Sequence, residues 1–486
     1  MRVFHLFQYK GCLLFFILLI IGMDVKGANA NEFLLFSAPK YETRAVWLTT
    51  FGGLDWPRTH SLTPTSKDKQ QQELCALLDK LKEGGINTIL LQTRVRASTI
   101  YPSVYETWDR CLTGIYGKSP QYDALQFAIE ECHKRGMELH AWVVTIPVGK
   151  WNQKGCLDLR RKYPRMVKKI GDEGFLNPEY AGTATYLAKI CQEIVNNYDV
   201  DGIHLDYIRY PELWPNKRMG NTERANITRI VAQIHTHVKK AKPWIKVSCS
   251  PIGKYNDLSR YSSKGWNAFS RVAQDAQMWV KTGLIDNIYP MLYFRGNDFY
   301  PFLFDWIEQC GNENVAAGLA AYMLSPQEKN WPLEDIIRQL QTCRSRGVGY
   351  AFFRARFFTA DTKGVFSFVK NHMNASLALT PPMHTGSIVR PQPPRDVILE
   401  RTSDSDYLSW QTASTHHVHQ DGNYTLYNIY ASPDKHIDIN NPQMLIATRV
   451  AVNHIKIGQR KGKIPINYAI TAMDRYGNES SAIYVN

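Results

Sequence analysis

Between Arg44 and about Met373, short apolar runs alternate with longer stretches in which leucine or isoleucine recurs every three or four residues. The short runs are typical of buried β-strands, and the longer ones are typical of amphipathic helices. The pattern predicts strands at Ala45–Thr49, Thr88–Gln92, Glu138–Val144, Gly202–Asp206, Lys246–Ser250, Asn287–Leu292, Val315–Leu319 and Gly347–Phe353. Lys67–Glu83 and Tyr122–Arg135 are the clearest predicted helices, and another is predicted over 268–282.

Eight strand–helix units over about 330 residues favour a (β/α)8 barrel, the TIM-barrel class of α/β fold. An open, doubly wound sheet is the alternative. It is less favoured because no glycine-rich phosphate loop follows the first strand. The stretch 145–182, after the third strand, is unusually long and is expected to shape a binding cleft.

The pattern changes after the barrel. Prolines dominate 376–394, which predicts a stiff linker. From 395 to 486, short alternating strands occur without a helix pattern. The segments Tyr407–Trp410, Tyr427–Ala431 and Tyr468–Ala472 resemble those of a fibronectin type III module, a small all-β sandwich. We therefore divide the chain into a signal segment (1–30), a barrel (40–375), a linker (376–394) and a sandwich (395–486) that we expect to act as a spacer.

The N-terminus has the three parts of a secretory signal peptide. Arg2 and Lys10 precede the apolar run Leu13–Ile21, and Ala28-Asn29-Ala30 offers small residues for cleavage. Export to the periplasm or the extracellular space is expected, and no other stretch is apolar enough to span a membrane. Eight cysteines remain after cleavage. Most fall at apolar positions of predicted helices, so mostly buried free thiols are expected, with at most one or two disulfides.

Composition narrows the class of protein further. Hydrophobic residues make up 44% and charged residues 21% of the chain, which excludes disordered and fibrous classes. The net charge of +14 favours an anionic partner, but the basic residues are dispersed as on an ordinary surface. We expect no nucleic-acid partner. The sequence holds no HExxH, phosphate loop or serine elbow, so no metal and no cofactor are expected.

Candidate chemistry is concentrated in the fourth predicted strand. Alternation places His204 and Asp206 on one face of it and the apolar Ile203 and Leu205 on the other. The apolar pair must face the surrounding helices, so His204 and Asp206 point into the barrel. Buried polar groups are costly unless they are paired or functional. The hypothesis is therefore a catalytic site, and the alternative is a polar network that only stabilises the barrel.

Several motifs together carry a family resemblance: Arg44–Thr49, Gln92–Arg94, Tyr101–Ser103, His140–Trp142 and Asp201–Tyr207. They resemble the glycosyl-hydrolase-like family 10 of secreted bacterial proteins over about residues 40–375. The resemblance implies a (β/α)8 glycoside hydrolase, and such relatives are linked to cleavage of peptidoglycan glycan strands stripped of peptides. Two positions depart from the family pattern. Tyr207 stands where many members have a second acid, and Ala97-Ser98 stand where many have Gly-Asp.

Glycoside hydrolysis usually requires two carboxyl groups. Asp206 is the predicted nucleophile or base, and His204 can orient or protonate a neighbour. Asp257, after the fifth strand, is taken as the second carboxyl group. The alternatives are Glu173, Asp172 and Glu212.

Residues at strand ends are expected to contact a polysaccharide or a peptidoglycan glycan. They are Trp47, Arg94, Arg96, Tyr101, His140, Trp142, Trp151, Tyr207, Arg209, Tyr289 and Tyr293. The loop tryptophans Trp56, Trp108, Trp151, Trp214 and Trp266 are expected to form one rim on which sugars stack. A barrel that binds glycans without cleaving them, and a scaffold built on the sandwich, remain the alternatives. The sequence makes no prediction of oligomeric state.

Overall fold

The structure is a computed structural model that describes residues 38–215, 219–412, 424–458 and 465–485. The predicted signal segment, 1–30, lies outside these residues, so export stays a prediction. Across the described ranges, no helix has both the length and the apolar character needed to cross a membrane.

Eight parallel strands form a nearly closed barrel. They are β1 (Arg44–Leu48), β2 (Thr88–Arg94), β3 (Glu138–Val144), β4 (Gly202–Asp206), β5 (Lys246–Ser250), β6 (Asn287–Ile288), β7 (Ala316–Leu319) and β8 (Gly349–Phe352). Their hydrogen-bonded order is β6-β5-β4-β3-β2-β1-β8-β7. Parallel bridges from Ile288 to Val315 and from Met291 to Gly318 join the two ends of this sheet. The predicted barrel is confirmed, and the open sheet is excluded.

Helices cover the outside of the barrel. The α-helices lie at Pro64–Glu83, Ala124–Lys134, Lys154–Lys162, Ala181–Asn197, Asn221–Ala241, Ala268–Val272, Ala276–Lys281, Tyr300–Cys310, Leu333–Ser345, Ala355–Thr359 and Val365–Phe368. In the first, Leu74, Leu78 and Leu81 recur at helical spacing and are buried, as the periodicity predicts. The single helix predicted over 268–282 is wrong. Ala273 adopts a left-handed φ of 59° and divides it into two short helices.

The eight cysteines of the described chain are all free, and only Cys75 is not fully buried. This confirms the prediction of buried thiols. Burial raises the pKa of the Cys191 thiol to about 12, so the reactive thiolate is scarce at neutral pH.

The insertion after β3 folds into a small antiparallel sheet. Its strands are Pro147–Lys150, Val167–Ile170 and Glu173–Leu176, with the last strand in the middle. Alternation places Glu173 and Phe175 on one face, and both line the cleft described below. Gly174 faces the other way, where a Cβ atom would lie 2.6 Å from Cys156 Sγ. The missing side chain therefore lets the sheet pack closely against its helix.

The C-terminal part consists of two antiparallel sheets. Its strands are β9 (Arg395–Arg401), β10 (Ser405–Gln411), β11 (Leu426–Ser432), β12 (Leu445–Val450), β13 (His454–Gly458), β14 (Asn467–Met473) and β15 (Ile483–Val485). One sheet has the order β9-β10-β13 and the other β12-β11-β14-β15. Leu408 and Trp410 of β10 are buried between exposed neighbours, as period-two alternation requires. The fibronectin type III identity stays a prediction.

Buried ion pairs join the C-terminal sheets to the N-terminal ends of the barrel strands. Arg449 of β12 donates to Glu138 at 3.1 Å and to Asp201 at 2.5 Å. Lys246 of β5 lies 2.9 Å from both oxygens of Glu138. All four side chains are buried. A cation of the C-terminal sheets thus helps to neutralise two buried carboxylates of the barrel, and the role of these sheets as a spacer stays a prediction.

This cluster generates a stability prediction. Arg449→Met keeps much of the apolar volume but leaves Glu138 and Asp201 without that cation. Breaking a buried ion pair from one side costs about 3–5 kcal/mol. Each carboxylate keeps another cation, Lys246 for Glu138 and Arg475 for Asp201, so urea unfolding should show a smaller loss of about 1–3 kcal/mol.

Arg338→Met is the matched control, because Arg338 is exposed on an outer helix. Its effect should stay within about 0.5 kcal/mol. Equal free energies of unfolding for the two variants would mean that the interface cluster contributes no stability.

Candidate active site

The interior of the barrel is occupied by a hydrogen-bonded histidine on β4. Trp47 Nε1 donates to His204 Nε2 at 3.1 Å, which places the ring proton on Nδ1. Nδ1 lies 2.9 Å from Ser248 Oγ and donates to it. Burial, reinforced by the nearby His140, holds the pKa of His204 well below its usual range. His204 is thus neutral with both nitrogens engaged, so the geometry supports orientation and offers no support for proton donation.

Gly202 lies two residues before His204 on the same face of β4. Its lack of a side chain leaves room for a second buried histidine, His140 of β3. A Cβ atom at Gly202 would lie 2.6 Å from His140 Nδ1. His140 Nε2 in turn lies 3.1 Å from Glu138 Oε2. The glycine of the Asp201–Asp206 motif therefore makes room for this imidazole.

Asp206 ends β4 at the mouth of the barrel and accepts three hydrogen bonds. Oδ1 accepts from Ser250 Oγ at 2.9 Å and from the Tyr207 backbone N–H at 2.8 Å. Oδ2 accepts from Trp142 Nε1 at 3.1 Å. Trp142 and Ser250 come from β3 and β5, the two neighbours of β4. Three donors and no acceptor describe a carboxylate held in a fixed orientation.

A cleft of about 370 Å³ opens above this carboxylate. Its carboxylates are Asp206 and Glu173, and its cations are Arg96 and Arg209. Its aromatic walls are Phe51, Trp142, Phe175, Tyr207, Tyr293 and Phe353. The cleft lies at the C-terminal ends of the strands, where (β/α)8 enzymes carry their active sites.

Both cations of the cleft are paired with carboxylates. Arg96 lies 3.3 Å from Glu173, and Arg209 Nη2 lies 2.7 Å from Glu212. Asp206, by contrast, has no ion-pair partner within the described ranges. It is therefore the carboxylate of the cleft whose charge no cation offsets.

Tyr207 is held between Arg209 and Glu212. Its hydroxyl donates to Glu212, and the Arg209 guanidinium lies 3.8 Å from the centre of its ring. Burial, together with the hydrogen bond to Glu212, raises the pKa of Tyr207 although Arg209 lowers it in part. Burial alone would raise the pKa of Glu212, but Arg209 and the Tyr207 hydroxyl lower it overall. The proton thus stays on the phenol, and Glu212 is the anion of the pair.

The backbone of Tyr207 has a left-handed φ of 53°. This conformation costs a residue with a side chain about 1–2 kcal/mol, and such strain is concentrated at functional sites. In this conformation the backbone N–H of Tyr207 points at Asp206 and donates to its Oδ1. Next to Asp206, Tyr207 therefore presents a neutral hydrogen-bond donor.

The predicted site residues fall into three groups. Those in the cleft are Asp206, Arg96, Trp142, Tyr207, Arg209 and Tyr293. Those buried in the barrel interior below it are Trp47, His140, His204 and Tyr289. Those placed outside the cleft lining are Arg94, Tyr101, Trp151 and Asp257.

The residues outside the cleft lining have structural partners. Arg94 is fully buried, pairs with Glu106 at 2.7 Å and donates to the carbonyl of Thr145. Tyr101 is fully buried and donates to Glu193 at 3.0 Å. These contacts explain both side chains without a ligand.

Trp151 and Asp257 are also engaged elsewhere. The Arg160 guanidinium lies 4.2 Å from the centre of the Trp151 ring, in the insertion. Asp257 accepts from the Gly265 N–H and from Asn267 Nδ2, both at 3.0 Å, within its own loop. Glu173 is thus the alternative carboxylate that the structure brings into the cleft with Asp206.

The predicted tryptophan rim is wrong. Trp56 is only 1% exposed, and its Nε1 donates to the carbonyl of Gln70. Trp214 is 5% exposed and donates to Glu179. Neither these two nor Trp108, Trp151 and Trp266 line the cleft.

Phenylalanines that were not singled out stand there instead. Phe51 follows β1, Phe353 follows β8, and Phe175 alternates with Glu173 in the insertion. Phe353 directly follows β8 and Phe51 lies shortly after β1, so position past a strand end is the signal that could have identified them.

The family model described as glycosyl hydrolase-like 10 matches residues 42–222 and 214–302. The two spans together cover more than half of the chain and contain β1 to β6 with Asp206. The chain belongs to this family.

Relatives in the family share the sequence over different lengths. Glycosyl hydrolase YngK of Bacillus subtilis (strain 168) is 27% identical over an alignment 512 positions long. The alignment covers 97% of this chain and 98% of that protein. Glycosyl hydrolase DigH of Escherichia coli (strain K12) is 28% identical over 343 residues, 61% of this chain and 78% of that protein. Among solved structures, the PgaB (BpsB) glycoside hydrolase domain from Bordetella bronchiseptica is similar with 13% identity and a TM-score of 0.47, covering 68% of this chain and 98% of that chain.

The neutral His204 of this family member generates a pH prediction. Because its pKa is lowered on folding, the unfolded chain binds the proton first as the pH falls. Stability from this group is complete above the unfolded pKa of about 6.5 and decreases below it by up to about 1.4 kcal/mol per pH unit. Urea unfolding at pH 7.5, 6.5 and 5.5 should show this slope.

In His204→Gln, the free energy of unfolding should lack the part of the pH dependence that His204 causes. This holds whatever the stability of the variant at pH 7.5. His454→Gln, at an exposed position of β13, is the control and should keep the slope of the unaltered chain. If His204→Gln keeps the full slope, His204 is not the buried neutral group described above.

Proposed function

We propose that this chain is a glycoside hydrolase that cleaves O-glycosidic bonds of a polysaccharide, with peptidoglycan glycan strands as the first substrate to test. The observation that carries the proposal is Asp206. Its carboxylate is oriented by three donors and offset by no cation of the described residues, at the base of an aromatic cleft. A nucleophile or base of hydrolysis requires such a carboxylate, and family membership supports the same role.

We propose Glu173 as the second carboxyl group in place of Asp257. Glu173 lines the same cleft as Asp206, whereas the Asp257 carboxylate accepts hydrogen bonds from its own loop. Arg96 lies 3.3 Å from Glu173 at the rim of this cleft. A substrate that enters the cleft would then lie between the two carboxyl groups.

The aromatic walls support a sugar ligand. Ligand pockets combine apolar and aromatic walls with a few placed polar groups. Trp142 of β3 contacts Asp206, and Phe51, Phe175 and Tyr293 line the same cleft. Export through the predicted signal segment, to the periplasm or the extracellular space, would bring the protein to an envelope glycan.

A glycan-binding barrel without activity is the second candidate. Tyr207 in place of a second acid favours it, and so does the ion pair that engages Glu173. Binding of a glycan without the release of new reducing ends would support this alternative.

The test is release of reducing ends by the chain without residues 1–30. The substrates are peptidoglycan glycan strands with and without peptides, chitin oligosaccharides, cellulose and xylan. On the substrate that is cleaved, Asp206→Asn should lower kcat by about a thousandfold or more, as loss of a reacting group does. The melting temperature should fall only modestly, because asparagine keeps the shape of the side chain and loses one accepted hydrogen bond, that from Trp142 Nε1.

Asp257→Asn is the matched control and should keep kcat within about twofold, since no cleft contact is removed. A fully active Asp206→Asn variant would contradict the proposal. So would a variant that loses stability but keeps its activity per folded molecule.

A further inference from the structure

Arg96 lies in a strained turn at the edge of the cleft. It follows β2, and the Val95 N–H donates to the Ser98 carbonyl at 2.7 Å, which closes a two-residue turn over Arg96 and Ala97. Both residues have a left-handed φ of 59°. Turns with this backbone usually carry asparagine and glycine, because a larger side chain disfavours the conformation. Backbone strain is concentrated at functional sites, so an arginine here points to a function.

The turn is packed on two sides. The Ser98 hydroxyl donates to Asp109 at 2.6 Å. On the other side the insertion lies close, since a Cβ atom at Gly155 would be 2.4 Å from the carbonyl oxygen of Ala97. The backbone that carries Arg96 is therefore fixed by its neighbours.

The side chain of Arg96 faces the cleft and is accessible there. It lines the cleft with 36% of its surface exposed. Its guanidinium lies 4.9 Å from the centre of the Phe51 ring, which is also exposed and lines the same cleft. The Phe51 N–H donates to Gln92 at 2.8 Å, so the backbone that carries this ring is anchored. An aromatic ring limits the movement of the guanidinium without using its N–H donors.

One Arg96 donor has a protein acceptor within the described ranges, and the others remain available. Nη1 lies 3.3 Å from Glu173, a single contact between partly exposed side chains, and such pairs are weak. Glu173 also lies 3.8 Å from Lys150, so it keeps a cation when Arg96 turns to a ligand. The planar fork of an arginine fits the two oxygens of a carboxylate.

The carboxylate of Asp206 does not oppose a second carboxylate at this place. Asp206 ends β4, Arg96 follows β2, and β3 lies between these strands. Neighbouring strands are about 4.8 Å apart, so the two positions are separated by about 10 Å across the sheet. Exposed charges at this distance are largely screened at physiological salt. A ligand carboxylate in contact with Arg96 is therefore attracted more than it is repelled.

We propose that Arg96 is a specificity-determining residue that binds a carboxylate carried by a sugar of the glycan. Such a group occurs in two forms, as a lactyl ether on O3 of the sugar or as an oxidised C6. The chemistry that Arg96 recognises is the same in both. The inference rests on the proposed function in that the ligand is a glycan, but it concerns binding rather than cleavage.

The experiment uses two pairs of thio-linked chitotetraose derivatives, which resist hydrolysis. One pair carries the carboxyl group as the O3-lactyl ether and the other as the oxidised C6. Each pair consists of the carboxylate and its uncharged methylamide. Binding is measured by calorimetry on the chain without residues 1–30. In at least one pair, the unaltered protein should bind the carboxylate about tenfold more tightly than the amide, and that pair identifies the form of the group.

Arg96→Met is the decisive variant, because it removes the charge and keeps an unbranched side chain in the turn. The carboxylate of that pair should lose about tenfold in affinity, while its amide should change by less than about threefold. Arg96→Lys keeps the charge without the planar fork, so it should keep only part of the preference. Glu173→Gln removes the competing anion and should raise the preference for the carboxylate about threefold.

Arg161→Met is the matched control. Arg161 is exposed on the helix of the insertion and is not part of the cleft lining. The variant removes the same charge and should leave the affinities for all the probes within about twofold. Melting temperatures show whether each variant is folded.

Three results would overturn the inference. They are no preference for the carboxylate in either pair by the unaltered protein, an unchanged preference in folded Arg96→Met, and no binding of any probe. Failure of the proposed function is a different result, namely no reducing ends from any glycan. A preference that Arg96→Met abolishes, without cleavage of any glycan, would keep this inference and contradict the hydrolase. Cleavage by a protein whose preference survives Arg96→Met would do the opposite.

Discussion

Polar side chains inside the barrel must each find a partner, and the rest of the site depends on this requirement. The alternation of β4 turns His204 and Asp206 inward; His204 is fully buried, where water cannot satisfy it, and Asp206 lies at the mouth. Other barrel strands supply the partners: Trp47 of β1 and Ser248 of β5 bind the imidazole, and Trp142 of β3 and Ser250 of β5 bind the carboxylate. These partners fix the tautomer of His204 and the orientation of Asp206. The position of the Asp206 carboxylate therefore follows from the register of the barrel strands.

The carboxylates at the two ends of the barrel have different partners. At the N-terminal ends of the strands, Glu138 and Asp201 are buried and neutralised by Lys246 and by Arg449 of the C-terminal sheets. At the opposite end, Asp206 is bound by neutral donors and has no cation partner among the described residues. Ion pairs thus stabilise the bottom of the barrel, whereas the mouth keeps a carboxylate that is free to act on a ligand.

The sequence predicted the positions of site residues on regular strands, because strand alternation determines which way they face. It did not predict the positions of residues in loops or next to β-bulges. The inward face of β4 follows from alternation, so Asp206 could be placed at the mouth. The pairing of β2 with β3 shifts register between Gln92 and Arg94, so simple alternation does not give the direction of Arg94. Arg94 is buried in an ion pair with Glu106 and does not line the cleft. Loop residues have no period, so the exposure of Trp56 or Trp214 could not be inferred. Glu173 reached the cleft only through the fold of the insertion.

The most direct test of the account uses Trp142→Phe, which keeps an aromatic ring in the cleft and removes the N–H that Asp206 Oδ2 accepts. The measurement is steady-state hydrolysis of the glycan that the unaltered protein cleaves fastest. If the orientation of Asp206 controls the reaction, kcat should fall about tenfold and KM should stay within about twofold. A raised KM with unchanged kcat would contradict the account, because it would make Trp142 a binding surface and leave Asp206 without the role assigned to it.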